Sequence, residues 1–453
     1  MRAPRHVFRE YDIRGIVDET LDPELARAVG LAFGSELGQG ATVAVGQDNR
    51  PSSPTLASAL VEGLNASGVD VLFVGTVPTP ALYFAAYELG TAAGVQITGS
   101  HNPPEYNGIK LTRGERALYG EAIQRLRLRI EADDFLLGGG TTSEVEILDR
   151  YVEEIGRRAR VDPPIRFVLD CGNGAGSIVA ADALRAAGAE VDPLYCESDG
   201  TFPNHHPDPT VDENVQDLIA RVIETGAAFG VGLDGDADRI GAVTEEGAII
   251  RGDHLLLLFA LDVLQDHPGA DIVFDVKCSK ALPEMISKAG GNPVMWRTGH
   301  SLIKERMREL GSPLSGEMSG HICFADRYFG IDDAIYDAAR LAELVARDGR
   351  PLSEIVRTIP AYPSTPELRL DCPEERKFEL VRRAVQHYKQ AHDVVDIDGA
   401  RVQFEGGWAL IRASNTQPVV VVRLEADSPE RLREIHGEIS EYLAAEGVSL
   451  PDV

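Results

Sequence analysis

Cysteine is scarce in this chain and shows no pattern. There are five in 453 residues (Cys171, Cys196, Cys278, Cys323 and Cys372), an odd number with no CxxC pair. That usage argues against a disulfide framework and a cysteine-based zinc site, and it fits a reducing, cytoplasmic compartment. Positive charge is also short. Lys and Arg total 44 against 72 Asp and Glu, a net charge of −28. A field of that sign repels nucleic acid and anionic membrane as bulk partners. It repels a phosphorylated substrate too, so any phosphate site must gather its own Arg and Lys. Long apolar runs are missing as well. The most apolar stretch, HLLLLFALDVL at 254–264, is broken by Asp262 and is too short to span a bilayer. The opening MRAPRHVFREYDIRGI has no apolar core and carries Glu10 and Asp12, so it does not read as a signal peptide. No low-complexity segment interrupts the chain.

What is present reads as ordinary globular sequence, 43% hydrophobic and 26% charged. At 453 residues it is too long for one core, so three or four domains are expected. ATVAVGQD (41–48) reads as a buried strand, SPTLASALVEGLNASG (53–68) as a helix ending at glycine, and VDVLFVG (69–75) as a strand. A helix from TPALYFAAYELG and a strand from GVQIT follow. The wording restarts at IRFVLD (165–170), with a helix over 177–187, and again at DIVFDV (271–276), with a helix near 280–289. The repeat lies in element order, not in residue identity. After about 366 the character changes to a charged helix (374–390), short strands and a last helix. The expected fold is α/β: three similar mixed-sheet domains (1–140, 141–252, 253–366) and a smaller C-terminal α+β domain (367–453).

In open α/β sheets, ligands bind beyond the carboxyl ends of strands. Each of the first three units places a polar loop there: TGSHNP (98–103), DGDADR (234–239) and GEMSGH (316–321). Asp234, Asp236 and Asp238 alternate, and three hard oxygen anions at that spacing suit a divalent cation, Mg²⁺ first. A solvated acidic turn is the plainer alternative. An EF-hand fails, although Glu245 falls at its twelfth position, because Arg239 stands where the sharp turn needs glycine.

Ser100 is a poor nucleophile without a base. His101 is adjacent, but side chains of neighbouring residues tend to point apart, and no G-x-S-x-G elbow surrounds the serine. If Ser100 carries a phosphate, that group completes the metal site and Lys110 can stabilise the same charge. Glu317 and Ser319 suit a polyol with adjacent hydroxyls. Arg412, with Ser414, Asn415 and Thr416, suits an oxyanion. GNGAGS (172–177) lacks the spacing of a nucleotide loop and reads as a tight strand-to-helix turn.

Those four loops in that order, with FREYDIRGI at 8–16, resemble the α-D-phosphohexomutase family over nearly the whole chain. The resemblance implies four domains around a central cleft, the last one mobile. It implies that Ser100 is the phosphoserine and that Asp234, Asp236 and Asp238 bind Mg²⁺ together with its phosphate. Glu317, Met318, Ser319, Gly320 and His321 become the sugar loop, and Arg412, Ser414, Asn415 and Thr416 the clamp for a distal phosphate. Tyr11, Arg14, Lys110, Arg239, Lys277 and His300 are placed in the cleft. Lys110, Arg239 and His300 join Ser100 as catalytic candidates, while His321 stays open as a further acid or base.

Met318 resembles the phosphomannomutase/phosphoglucomutase branch, since glutamine there resembles phosphoglucosamine mutases. The implied activity interconverts hexose 1- and 6-phosphates through a bisphosphorylated hexose that serves as activator and intermediate. The implied partners are small sugar phosphates, and the chain is a monomer or small homo-oligomer. A phosphoglucosamine mutase, a metal-dependent sugar-phosphate phosphatase and a non-catalytic sugar-phosphate sensor are the competing readings.

Overall fold

The computed structural model describes residues 3–415 and 417–452. Four β-sheets are built from successive stretches of chain. In the first, Thr42–Gln47 lies parallel to both Asp70–Thr76 and Ala93–Ile97. Ala93–Ile97 then pairs antiparallel with Tyr106–Arg113, which pairs antiparallel with Ile13–Ile16. The far edge is Thr142–Glu144, parallel to Asp70–Thr76. The second sheet sets Arg166–Asp170 parallel to Glu190–Leu194 and Phe229–Leu233, with Ile240–Thr244 antiparallel beyond. The third sets Asp271–Asp275 parallel to Asn292–Trp296 and Leu314–Gly316, with Ile322–Phe324 antiparallel. The fourth is wholly antiparallel and carries two long helices, Glu374–Tyr388 and Pro429–Ala445. Three mixed α/β sheets and one α+β unit are therefore present, as the apolar runs imply.

The strands form where short apolar, β-branched runs are bounded by polar turns, and the central ones are buried on both faces. Helices fill the crossovers. Pro23–Leu37 starts at Asp22, whose Oδ1 accepts the Leu25 N–H at 2.7 Å. It packs against Ser53–Ala66 at glycine contacts. A Cβ on Gly63 falls 2.1 Å from the Arg27 carbonyl, and one on Gly30 falls 2.2 Å from that of Leu60. The expected helix over 177–187 is split into a 3₁₀ turn at Ala175–Ile178 and a helix at Ala180–Ala186. The Ala175 N–H, which has no partner within the turn, bonds the Gly235 carbonyl of the neighbouring loop at 2.8 Å.

One apolar cluster runs through the second and third units and reaches the helix Thr79–Glu88 of the first. The fourth unit has its own core, drawn from residues 370–450. It meets the third through a small patch of Val276, Trp408 and Leu410 and a polar seam. In that seam Arg401, stacked 3.6 Å over Trp408, donates to the carbonyls of Val276 and Cys278. Arg423 donates to Asp253 and to the Lys277 carbonyl. A separate core joined by polar contacts is the construction expected of a unit that can move as a body. No helix among the described residues is long and apolar enough to cross a membrane.

The helix pair yields a stability test. Gly63→Ala forces a methyl into a backbone carbonyl and is expected to destabilise by about 1–3 kcal/mol. Gly437→Ala, in an exposed helical position with no atom within 4 Å of a Cβ, is expected to be neutral or slightly stabilising. Urea midpoints of the two variants check this, and equal midpoints contradict it.

Candidate active site

Ser100 lies just past Ala93–Ile97, with φ 50°, in the left-handed region that a serine seldom adopts. Its N–H donates to Thr98 Oγ1 at 2.8 Å, and its carbonyl accepts from Arg50 Nη2 at 2.7 Å. Arg50 is fully buried and holds the whole loop. It also donates to the carbonyls of Asn102, Pro103 and Tyr106, and Asp48 takes the Gly99 N–H. This conformation corrects one expectation. The Ser100 and His101 side chains do not diverge, for Ser100 Oγ stands 3.1 Å from His101 Nδ1. The turned backbone at Ser100 swings the two side chains to one side. Burial pushes the His101 imidazole well below its ordinary pKa, with Arg239 adding.

Ser100 Oγ donates to Asp234 Oδ2 at 2.9 Å, across the boundary between the first and second sheets. Gly235 makes that approach possible, because a Cβ there falls 2.3 Å from the Ser100 carbonyl. Asp234, Asp236 and Asp238 are all fully buried, and one oxygen from each lies within 4.8 Å of the others. Asp234 Oδ1 caps its own loop, accepting from the N–H groups of Asp238 and Arg239 at 3.0 and 3.1 Å. Lys110, from the strand beside Ser100, donates to Asp236 at 2.6 Å and Asp238 at 2.5 Å. Thr79 adds a bond to Asp236 at 2.5 Å.

Burial and the charges of Asp236 and Asp238 push the Asp234 carboxyl well up. Burial acts the same way on Asp236, but Lys110 overcomes it and holds that carboxyl below the usual range. For Lys110, burial favours the neutral amine, yet the two carboxylates keep it an ammonium. Asp236 Oδ1 and Asp238 Oδ1 are buried with no hydrogen-bond partner. Two orphaned carboxylate oxygens beside Asp234 are the donor set of a hard divalent cation.

The third sheet supplies the middle of the site. Glu317 follows Leu314–Gly316, and its Oε1 accepts the Gly299 N–H at 2.6 Å. Burial and Asp275 raise its carboxyl. His300 opens the helix His300–Leu310 and stacks on His321 with ring centroids 4.9 Å apart. Both face Asp332, with His300 Nδ1 at 2.9 Å and His321 Nδ1 at 3.2 Å from Oδ2, while Lys304 takes Oδ1 at 2.6 Å. Burial and Lys304 push His300 down to about 4, so it is neutral near pH 7. Arg239 Nε donates to His321 Nε2 at 2.9 Å. Lys277 pairs with Glu367 at 3.1 Å, and Glu367 with Asp275 outweighs burial and raises its pKa.

At the far end, Arg412 near the end of the strand Gly407–Ala413 and Ser414 and Asn415 just after it reach the cleft. Arg412 Nε donates to Asp398 at 3.1 Å. Asn415 donates to Tyr11 Oη at 2.9 Å, and that hydroxyl donates to the Thr298 carbonyl at 2.7 Å. The fourth unit therefore touches the first and closes over the cleft. Thr416 lies outside the described residues.

One cavity of about 440 Å³ unites these groups. Its wall includes Tyr11, Arg14, Ser100, Lys110, Arg239, Lys277, His300, Glu317, Ser319, His321, Arg412, Ser414 and Asn415. The three aspartates sit directly beneath it, reached through Ser100 and Lys110. Met318 and Gly320 are not part of the wall. The Met318 side chain packs against the apolar core, while its N–H bonds Asp275 at 3.3 Å. Gly320 takes φ 87° and turns the loop. Seven Arg and Lys line the cavity against three carboxylates, so the acidic chain does gather cations locally. Sequence reasoning set His101 aside and missed Arg50, Asp48, Thr79, Lys304 and Asp332. The run GQDNRP after a buried strand was the available signal for Asp48 and Arg50; Thr79, Lys304 and Asp332 gave none.

Family models for phosphoglucomutase/phosphomannomutase match the chain in four segments. Alpha/beta/alpha domain I covers residues 5–136, domain II 149–247, domain III 251–362 and the C-terminal domain 367–441. A phosphomannomutase/phosphoglucomutase of Pseudomonas aeruginosa is 48% identical over 99% of this chain and 97% of its own. A phosphoglucomutase of Neisseria gonorrhoeae is 44% identical over 95% of each. The crystal structure of a phosphoglucomutase/phosphomannomutase family protein from Burkholderia thailandensis superposes with a TM-score of 0.92 at 44% identity, covering 98% of both chains. Through all four of its domains, the chain belongs to the phosphoglucomutase/phosphomannomutase family.

Proposed function

We propose that this enzyme interconverts hexose 1-phosphates and hexose 6-phosphates, with glucose and mannose as the hexoses. The observation that carries the reading is a single cavity with Ser100 over three carboxylates at one end and the Arg412 hairpin at the other. One end suits phosphoryl donation and the other suits holding a second phosphate. A sugar phosphate seats its distal phosphate on Arg412, Ser414 and Asn415. Its hydroxyls lie on Glu317 and Ser319, and Tyr11, Arg14 and Lys277 line the way.

Phosphorylated Ser100 is the donor. The sugar's near hydroxyl attacks the phosphorus, the new O–P bond forms as the Ser100 Oγ–P bond breaks, and Lys110 and Arg239 balance the charge. The hydroxyl proton passes to the His300–His321 pair, which Asp332 holds in place. The bisphosphorylated sugar turns end for end in the cleft, and its other phosphate returns to Ser100 by the reverse steps. Asp234, Asp236 and Asp238 fit Mg²⁺, since Asp236 and Asp238 each offer a buried oxygen with no hydrogen-bond partner. Such an ion supplies positive charge to the phosphoryl group in transfer. The contacts at Glu317 and Ser319 leave the hexose C2 position loosely read, which is why both epimers are accepted. Free cysteines fit the reading of a cytoplasmic enzyme.

The deciding assay offers glucose 1-phosphate and mannose 1-phosphate and follows the 6-phosphates formed. Release of inorganic phosphate without isomerisation overturns the reading. Ser100→Ala is expected to lower kcat by several orders of magnitude while sugar-phosphate binding by calorimetry persists; near-normal turnover rules out the carrier. Arg412→Ala removes a charge-assisted phosphate contact and is expected to raise KM roughly 10- to 100-fold, with Arg412→Lys restoring it only in part. An unchanged KM removes the cradle. Arg50→Lys keeps the charge but loses the fork that holds four carbonyls. It is expected to lower kcat roughly tenfold or more with a much smaller effect on KM, since misplacement of a reacting group is costly. Wild-type kinetics in that variant show that the Ser100 loop needs no such staple.

A further inference from the structure

Away from the cleft, two cysteines that are 25 residues apart meet at the carboxyl end of the second sheet. Cys171 follows Arg166–Asp170 and Cys196 follows Glu190–Leu194, parallel neighbours with Asp170 opposite Leu194. The ladder continues past the strands. The Cys171 N–H donates to the Leu194 carbonyl at 3.1 Å and the Asn173 N–H to the Tyr195 carbonyl at 2.9 Å. Two backbones fixed side by side in this way bring the sulfurs to 2.6 Å, with both residues free thiols. The two differ in access. Cys171 is 1% exposed, whereas Cys196 is half-buried and lines a cavity of about 530 Å³ with Asn173, Ser177 and Tyr195.

We propose that Cys171 and Cys196 form a thiol-oxidation site that closes to an intramolecular disulfide, with Cys196 meeting the oxidant. With a low-molecular-weight disulfide RSSR, the Cys196 thiolate attacks one sulfur, forming Cys196–S–SR and releasing RS⁻, which takes up the proton Cys196 lost. Cys171 then gives up its proton and attacks the Cys196 sulfur, breaking the mixed disulfide and expelling the second RSH. Two protein thiols are oxidised and one RSSR is reduced to two RSH. The protein barely has to move, since the backbones are already in ladder contact.

The pair sits at the root of a loop that reaches the catalytic centre. The Asn173 carbonyl accepts from Asn49 of the first unit at 2.7 Å, next to the Arg50 that holds the Ser100 loop. The Ala175 N–H donates to the Gly235 carbonyl at 2.8 Å, inside the aspartate loop. A covalent bond at Cys171 therefore constrains the segment that connects Asn49 to Gly235. The cross-link itself is independent of the proposed mutase activity, and only its effect on turnover rests on that reading.

The test incubates the full chain with oxidised glutathione at pH 8, alkylates it after denaturation, and maps the peptides. The expected result is a peptide joining Cys171 to Cys196, two fewer alkylated thiols, and reversal by dithiothreitol. Cys196→Ser is expected to abolish the cross-link, and Cys171→Ser to leave a glutathione adduct on Cys196. Mutase turnover of the oxidised protein is expected to fall roughly tenfold and to return with reductant. Five alkylatable thiols after oxidation, or a cross-link through any other cysteine, overturns the site. A correct cross-link with unchanged turnover overturns its coupling to the aspartate loop.

Discussion

Three carboxylates with no exposure to water stand against a single ammonium, and the rest of the molecule is arranged around that imbalance. Burying an unpaired carboxylate is expensive, so the site persists only if its charge is met from nearby. Lys110 meets part of it, and Lys110 belongs to the first sheet while the aspartates belong to the second. The relative placement of those two units is therefore an electrostatic requirement as well as a packing one. Thr79 bonding Asp236, and Gly235 lying against the Ser100 carbonyl, are the short-range marks of it. Burial and the two neighbouring carboxylates raise the Asp234 carboxyl for this reason, and a divalent cation as proposed above offsets the excess negative charge.

The same account explains why the other end of the cleft is built differently. Arg412 and Lys277 are each answered by a carboxylate, Asp398 and Glu367, so neither cation waits unpaired for a substrate. A phosphate bound there as proposed would exchange with an existing partner instead of stripping a bare charge of water, which lowers the cost of capture and of release. Release matters when an intermediate must turn over within the site. The fourth unit contributes this end, and its separate core meets the third unit through only a small apolar patch and a polar seam, the construction of a unit that can move as a body.

Much of this was legible in the sequence, and what was not has a common cause. Strands and their polar loops follow from local patterns, since an apolar run of five or six residues before a polar turn reads as a buried strand wherever it falls. The aspartate loop, Ser100, Glu317 and the Arg412 hairpin were found that way. Arg50, Asp332 and Asp398 were not, because each acts through partners far along the chain. Arg50 binds carbonyls about fifty residues on, and Asp332 gathers His300, His321 and Lys304 from two other segments. His101 was set aside on a rule about neighbouring side chains that fails when the first residue is left-handed. Met318 carried a branch assignment by resemblance, yet its side chain belongs to the core and its contribution near the cleft is a backbone N–H.

The net charge of −28 remains to be reconciled with an anionic ligand. A cleft walled by low-dielectric protein focuses the field of the charges that line it, while charges on the outer surface are screened within about 10 Å at ordinary ionic strength. The surface acids therefore act on a phosphate only at long range and weakly, whereas the seven cations of the cavity act on it where water is scarce. The acidic exterior still has a consequence. It disfavours phosphate-bearing polymers such as nucleic acid, which cannot enter a cavity of about 440 Å³ and meet only the surface. A small sugar phosphate escapes that repulsion once inside. Selection by size and selection by charge thus arise from one distribution of residues, in which cations outnumber carboxylates on the cavity wall while acids outnumber bases over the chain as a whole.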